Sequence, residues 1–213
     1  MTIQKNFLSG IMSGIYISLG ATLYLYIENH IIGAMFFTLG IFLVSSFYNY
    51  LFTRVVPLST ATKEYNAIDI AIAYVGNFIG TFVYAFLLSN TRLANKLKHT
   101  IDIVATSKMK DSFLSLIIMG IFCAVMVGYG VLASVKYKDN KIVVLTFYFI
   151  LVAGFVILGF DHIVANFFYY SFYSLLFGFK LAILPAALAV TIGNLIGGLL
   201  IGYLYQIEQK INN

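Results

Sequence analysis

The sequence predicts an all-α membrane protein: six transmembrane helices in a single domain, arranged as two halves of three, with the second and fifth helices broken. Three observations carry that prediction. Hydrophobic residues make up 61% of the chain and charged residues 10%, with mean hydropathy +0.94, whereas a soluble domain averages about 25% charged residues. The apolar residues fall into six segments on the measure of about 20 residues per bilayer crossing. The third and sixth segments share a Gly-Asn-x-x-Gly motif, and the second and fifth are both interrupted.

The first segment, about residues 7–27, carries Gly10, Gly14 and Gly20-Ala21 at close to four-residue spacing. Such a face lets neighbouring helix backbones approach closely. The segment has no small-residue cleavage site followed by a soluble domain, so it is expected as a retained helix. The second segment, about 31–51, breaks at Leu51-Phe52-Thr53-Arg54, and the chain then runs through Pro57 to Lys63 without helical periodicity. The third, about 67–88, holds Gly76-Asn77-Phe78-Ile79-Gly80. A polar stretch, 89–111, joins the halves as a predicted loop. The fourth, about 112–134, contains Cys123, whose solitude excludes a disulfide framework. The fifth, 142–179, is too long for one span and breaks at 159–162. The sixth, about 181–205, carries Gly193-Asn194-Leu195-Ile196-Gly197-Gly198, so both halves end alike. Three helices per half turn the second copy over, giving an inverted repeat with halves at about 7–88 and 112–205.

The net charge of +5 is spread over short loops, with no run long enough to bind nucleic acid. With the N-terminus inside, the cytoplasmic side would hold seven basic residues and the opposite side six, a bias too small to set orientation. Five of them lie between Arg92 and Lys110, beside Asp102 and Asp111. An anion-attracting vestibule and a solvated loop explain that cluster equally well. His30 and His99 fall in predicted loops, and the aromatic run 167–179 fits an interfacial or inter-subunit surface.

Asp161-His162 is the one acid–imidazole pair deep in an apolar segment. An ionisable pair at that depth marks a pathway for a polar solute or a hydrogen-bonded pin between helices. Paired interruptions at corresponding positions point to a central binding site, and non-helical backbone at membrane depth needs a cavity or protein around it. Asn77 and Asn194 are placed to hydrogen-bond the exposed carbonyls of a broken helix nearby. Beyond this pair and Asp69 near a segment end, the apolar segments offer little acid–base equipment, so no enzyme, cofactor or metal site is expected.

Gly159-Phe160-Asp161-His162-Ile163-Val164-Ala165-Asn166 resembles the fifth-helix signature of the formate/nitrite transporter family, usually Gly-Phe-Glu-His-Ser-x-Ala-Asn. Leu51-Phe52-Thr53 is similar to its second-helix loop, Val190 to Gly198 to its sixth-helix signature, and Gly76-Asn77 to the third-helix counterpart. The resemblance runs over nearly the whole chain. It implies a homopentamer of six-helix, aquaporin-like protomers, each with its own pore, in a prokaryotic inner (cytoplasmic) membrane with both termini cytoplasmic. The transported species would be a small anion, such as formate, nitrite or hydrosulfide, linked to a proton.

Carried over by position, His162 is the central pore histidine and Thr53 its hydrogen-bond partner, with Asn166 in the same pore set. Leu51 and Phe52 form the cytoplasmic constriction, and Phe37, Ile41, Val127 and Phe155 the outer one. Lys108 draws anions into the outer vestibule, while Asp161, Asn77 and Asn194 support the breaks. Asp161 stands where Glu is usual, and Ala124 where an Asn is common. About six residues precede the first helix, where relatives have an amphipathic helix proposed to gate the pore. Two alternatives remain open. A carrier with alternating access shares these ingredients, and a neutral-solute channel would carry paired Asn-Pro-Ala caps, a tripeptide that does not occur.

Overall fold

The computed structural model describes residues 3–211; Met1, Thr2, Asn212 and Asn213, and with them the expectation for the chain ends, lie outside the described residues. The described residues form nine α-helices: α1 Ile3–Tyr26, α2 His30–Ser46, α3 Phe52–Ala61, α4 Ala67–Ser89, α5 Arg92–Lys110, α6 Phe113–Lys136, α7 Lys141–Ile157, α8 Ile163–Phe177 and α9 Ile183–Ile211. Helices α1, α4, α6 and α9 are long and apolar enough to cross a membrane.

Two expectations need correction. Residues 57–63 were expected to lack helical order, yet α3 continues through Pro57 to Ala61. Proline lacks the N–H that would bond the carbonyl four residues back, so Pro57 removes the partner of the Thr53 carbonyl without stopping the helix. The stretch 89–111, expected as a loop, is helix α5. Its mean hydropathy hides it, but Ala94, Leu97, Ile101 and Ala105 form one buried stripe at the three- and four-residue spacing of an amphipathic helix. The Thr91 side chain caps its first turn. His99 therefore lies on a helix, and His30 opens α2.

The packing has a repeated plan. Helix α1 lies against α4 and α2, and α6 lies against α9 and α7. The short helices cross over: α3 packs on α9, and α8 packs on α4. Glycine permits the tight pairs. A Cβ on Gly80 would fall onto the Ile11 carbonyl of α1, and one on Gly197 would meet the Ile121 carbonyl of α6. The Gly-Asn-x-x-Gly motifs thus bring backbones together at both closing helices. That contact sets the depth at which Asn77 and Asn194 meet the chain ends before α3 and α8.

Candidate functional site

Between α2 and α3, and again between α7 and α8, the chain leaves the helix in the middle of the fold. Backbone groups freed there need partners, since a buried unpaired N–H or C=O costs about 1–3 kcal/mol. One asparagine supplies them at each place. Asn77 Oδ1 accepts from Phe52 N–H, and its Nδ2 donates to the carbonyls of Tyr50 and Gly10, all at 2.8 Å. Asn194 Oδ1 accepts from Ile163 N–H, and its Nδ2 donates to the carbonyls of Asp161 and Gly120, again at 2.8 Å. Tyr50 therefore corresponds to Asp161, Leu51 to His162 and Phe52 to Ile163. Leu51 is the N-cap of α3 with no side-chain cap bond, whereas His162 is the N-cap of α8 and caps it with its ring.

That cap fixes the imidazole's protonation pattern. Ala165 N–H donates to His162 Nδ1 at 3.3 Å, so in the neutral ring the proton sits on Nε2. Nε2 lies 2.8 Å from Thr53 Oγ1 and donates to it, which leaves the Thr53 hydroxyl hydrogen for a third group. Both residues are buried, at 1% and 2% exposure. The Phe155 ring lies parallel to the imidazole at 5.8 Å, and Phe37 meets Phe155 edge-on at 5.8 Å. Two phenyl rings thus line up beyond the histidine in space, Phe155 against it and Phe37 against Phe155.

Asp161, one residue back, has partners of its own. Its Oδ1 accepts from Lys108 Nζ at 2.5 Å and from Asn166 Nδ2 at 2.8 Å, and its backbone N–H reaches the Met119 carbonyl. The shorter acid is thus reached by the α5 lysine, which enters an ion pair instead of standing free. Gly159 makes the turn possible with φ +72°, a conformation only glycine adopts without strain.

A cavity of about 50 Å³ is lined by Phe37, Lys108, Phe155, His162 and Asn166, with Tyr24 and Tyr169. It has room for one or two waters, or a single ion of comparable size. Of the residues anticipated from sequence, these five meet at one cavity and Thr53 joins them through His162. Leu51, Ile41 and Val127 are buried but do not line it. Phe52 turns its ring onto Tyr74 at 5.2 Å. Tyr24 and Tyr169 were not anticipated, because nothing in an aromatic-rich sequence singles out two of its 16 tyrosines.

Four long apolar helices around a polar centre define a multi-pass membrane protein. The comparisons give the family. The formate/nitrite transporter model matches residues 1–207, and the chain belongs to that family. It is 32% identical over 104 residues to a formate-nitrite transporter of Plasmodium malariae, a match spanning 45% of this chain and 33% of that relative. The fold is that of a pentameric formate channel with formate bound (TM-score 0.82, 23% identity, 98% of each chain). An FNT family ion channel is also similar (TM-score 0.79, 18% identity, 99% of this chain and 90% of that one). These are transporters and channels, in agreement with the expectation that the chain is not an enzyme.

Proposed function

We propose that the chain is a channel for small monovalent weak-acid anions such as formate, nitrite or hydrosulfide, with passage linked to a proton at His162. In this reading each protomer of a homopentamer has six spans in an inverted repeat, with α2–α3 and α7–α8 as its two broken helices. The termini are cytoplasmic, and the membrane is the inner membrane of a prokaryote. The matched hydrogen bonds of Asn77 and Asn194 support the repeat. The family membership and the pentameric neighbour, which has formate bound, support the assembly and the substrate class.

The observation that carries the proposal is the buried Thr53–His162 hydrogen bond, beside which Phe155 and Phe37 present apolar rings. Moving a bare ion of this size into a medium of dielectric about 4 costs on the order of 20 kcal/mol. Protonating a group of pKa about 4 at pH 7 costs roughly 3 units at 1.36 each, about 4 kcal/mol. Neutral passage past Phe37 and Phe155 therefore costs far less. The Nε2–H of His162 and the hydroxyl of Thr53 form a polar pair at which a proton and an anion can meet.

The test is flux through purified protein in liposomes across formate, nitrite, hydrosulfide, acetate and lactate at two pH values. At constant total substrate the neutral acid falls tenfold per pH unit above its pKa, so uptake should fall as pH rises. Flux that ignores pH and survives His162→Phe unchanged would overturn the proposal. Counterflow beyond mass action would assign an alternating-access carrier instead.

A further inference from the structure

Where α6 and α9 end and α7 begins, a groove of about 220 Å³ lies among the three helices. Leu132, Ala133 and Ile201 line it and are buried, so they form its floor. Lys136, the last residue of α6, and Glu208, close to the end of α9, stand at its mouth. Tyr129 and Ile201 lie seven residues before them, two turns or about 10 Å deeper along each helix. The groove therefore runs from a charged mouth down to an apolar floor, with Phe147 of α7 as a further wall.

The mouth carries one charge of each sign, and the two do not close on each other. Among the described residues the only ion pair is Lys108–Asp161, so Lys136 and Glu208 face one groove unpaired, and both are exposed. Lys138, Asp139 and Lys141 follow in sequence but do not line it. Lys136 Nζ stands 5.8 Å over the Tyr137 ring, which stacks on Phe147 at 6.0 Å. Tyrosine and lysine at the end of an apolar helix mark the membrane–water interface. Residues two turns further in are then at the depth of acyl chains.

We propose that this groove binds a zwitterionic phospholipid with a primary-amine head group: phosphate on Lys136, ammonium on Glu208 and one acyl chain over Leu132, Ala133 and Ile201. The charges select the head group. An anionic lipid brings nothing to Glu208 and sets like charge beside its carboxylate. A trimethylated ammonium has no N–H to donate in a charge-assisted bond to that carboxylate. The Tyr137 ring that could cage it is already engaged by Lys136 and Phe147. Seated there, the lipid bridges α7, which leads into the break before His162, to α9, whose Asn194 holds that break. The site stands apart from Thr53 and His162 and does not rest on the transport reading.

The experiment titrates the purified, intact assembly in detergent with phosphatidylethanolamine, phosphatidylcholine or phosphatidylglycerol of identical acyl chains, and counts bound lipid by native mass spectrometry. The parent protein should bind the ethanolamine lipid most tightly. Lys136→Gln and Glu208→Gln should each weaken that binding about fivefold, the size expected of one charge at a membrane surface. Glu208→Gln should also erase the preference over phosphatidylglycerol, because the repelling carboxylate is gone. Leu204 lines the groove at a half-exposed position, so Leu204→Trp should fill it and weaken all three lipids alike. Equal affinity of the parent for the three lipids, or a preference that Glu208→Gln leaves unchanged, would overturn the site. A second copy of the chain in the groove would overturn it too, and would show as loss of oligomer mass in Leu204→Trp with lipid binding unchanged.

Discussion

Thr53 Oγ1 and His162 Nε2 meet at 2.8 Å although 109 residues separate them in sequence. One stands in the first turn of α3 and the other caps α8, so the contact joins two short helices, each packed on the other half's closing helix. Because Ala165 N–H occupies Nδ1, the threonine oxygen is where the ring delivers its proton.

Removing that oxygen should be felt as a loss of orientation. Thr53→Val should lower formate flux roughly fivefold, the equivalent of one net hydrogen bond of about 1 kcal/mol, and Thr53→Ser should restore most of it. Liposome flux for the three proteins, normalised to reconstituted protein, checks this. Equal flux from the Val and Ser proteins would mean that the hydroxyl plays no part.

Asn77 and Asn194 each satisfy three buried backbone groups. Asn194→Leu strands the N–H of Ile163 and the carbonyl of Asp161, whereas the Gly120 carbonyl, inside α6, keeps its in-helix partner. At about 1–3 kcal/mol for each stranded group, the expected loss is at least about 2 kcal/mol, and Asn77→Leu should cost a comparable amount. Thermal unfolding in detergent measures both. A large loss at one site and none at the other would show that the two breaks are not equivalent.

Much of this was legible because membrane helices announce themselves. Residues 67–88 and 112–134 match α4 and α6 to within two residues at each end, since composition and length alone define a crossing. The Gly-Asn motifs were legible as a pair, but the sequence does not say that each asparagine holds its own half's interruption. Thr53 was read as the hydrogen-bond partner of His162, and its hydroxyl lies 2.8 Å from the ring. That Leu51 is the repeat equivalent of His162 was not legible, because backbone register and not side-chain chemistry makes it so. Helix α5 was hidden because an amphipathic helix lying on a protein looks polar on average. Its 94, 97, 101, 105 stripe was present all along, and so was the route that brings Lys108 to Asp161.

That ion pair yields a further prediction. Lys108 is 16% exposed and Asp161 4%, so the lysine end retains some solvent and the acid almost none. Asp161→Asn leaves the lysine unpaired, whereas Lys108→Met leaves a buried carboxylate held by Asn166 alone. Lys108→Met should be the more destabilising single change. The double substitution should recover about 1–2 kcal/mol relative to the sum of the singles, within the range of contacting pairs. Melting temperatures around the four-protein cycle provide the measurement, and additive losses would deny the coupling.

The Phe155 ring contacts both Phe37 and the imidazole of His162, which makes it the residue on which the apolar side of the proposed passage would turn. In the proposed channel a phenyl ring there would do two jobs: fill space, and narrow the way past the histidine. Shortening it separates them. Phe155→Leu retains bulk without the aromatic face, and Phe155→Ala removes both at a stability cost of roughly 3–5 kcal/mol where no water enters. If Phe155 is the narrow point, water entry offsets part of that cost. Osmotic water permeability by stopped-flow should then rise in the order parent, Leu, Ala, and discrimination of formate against acetate and lactate should fall in the same order. Unchanged water permeability in Phe155→Ala, with full loss of stability, would place the narrowing at Leu51 on the other side of His162.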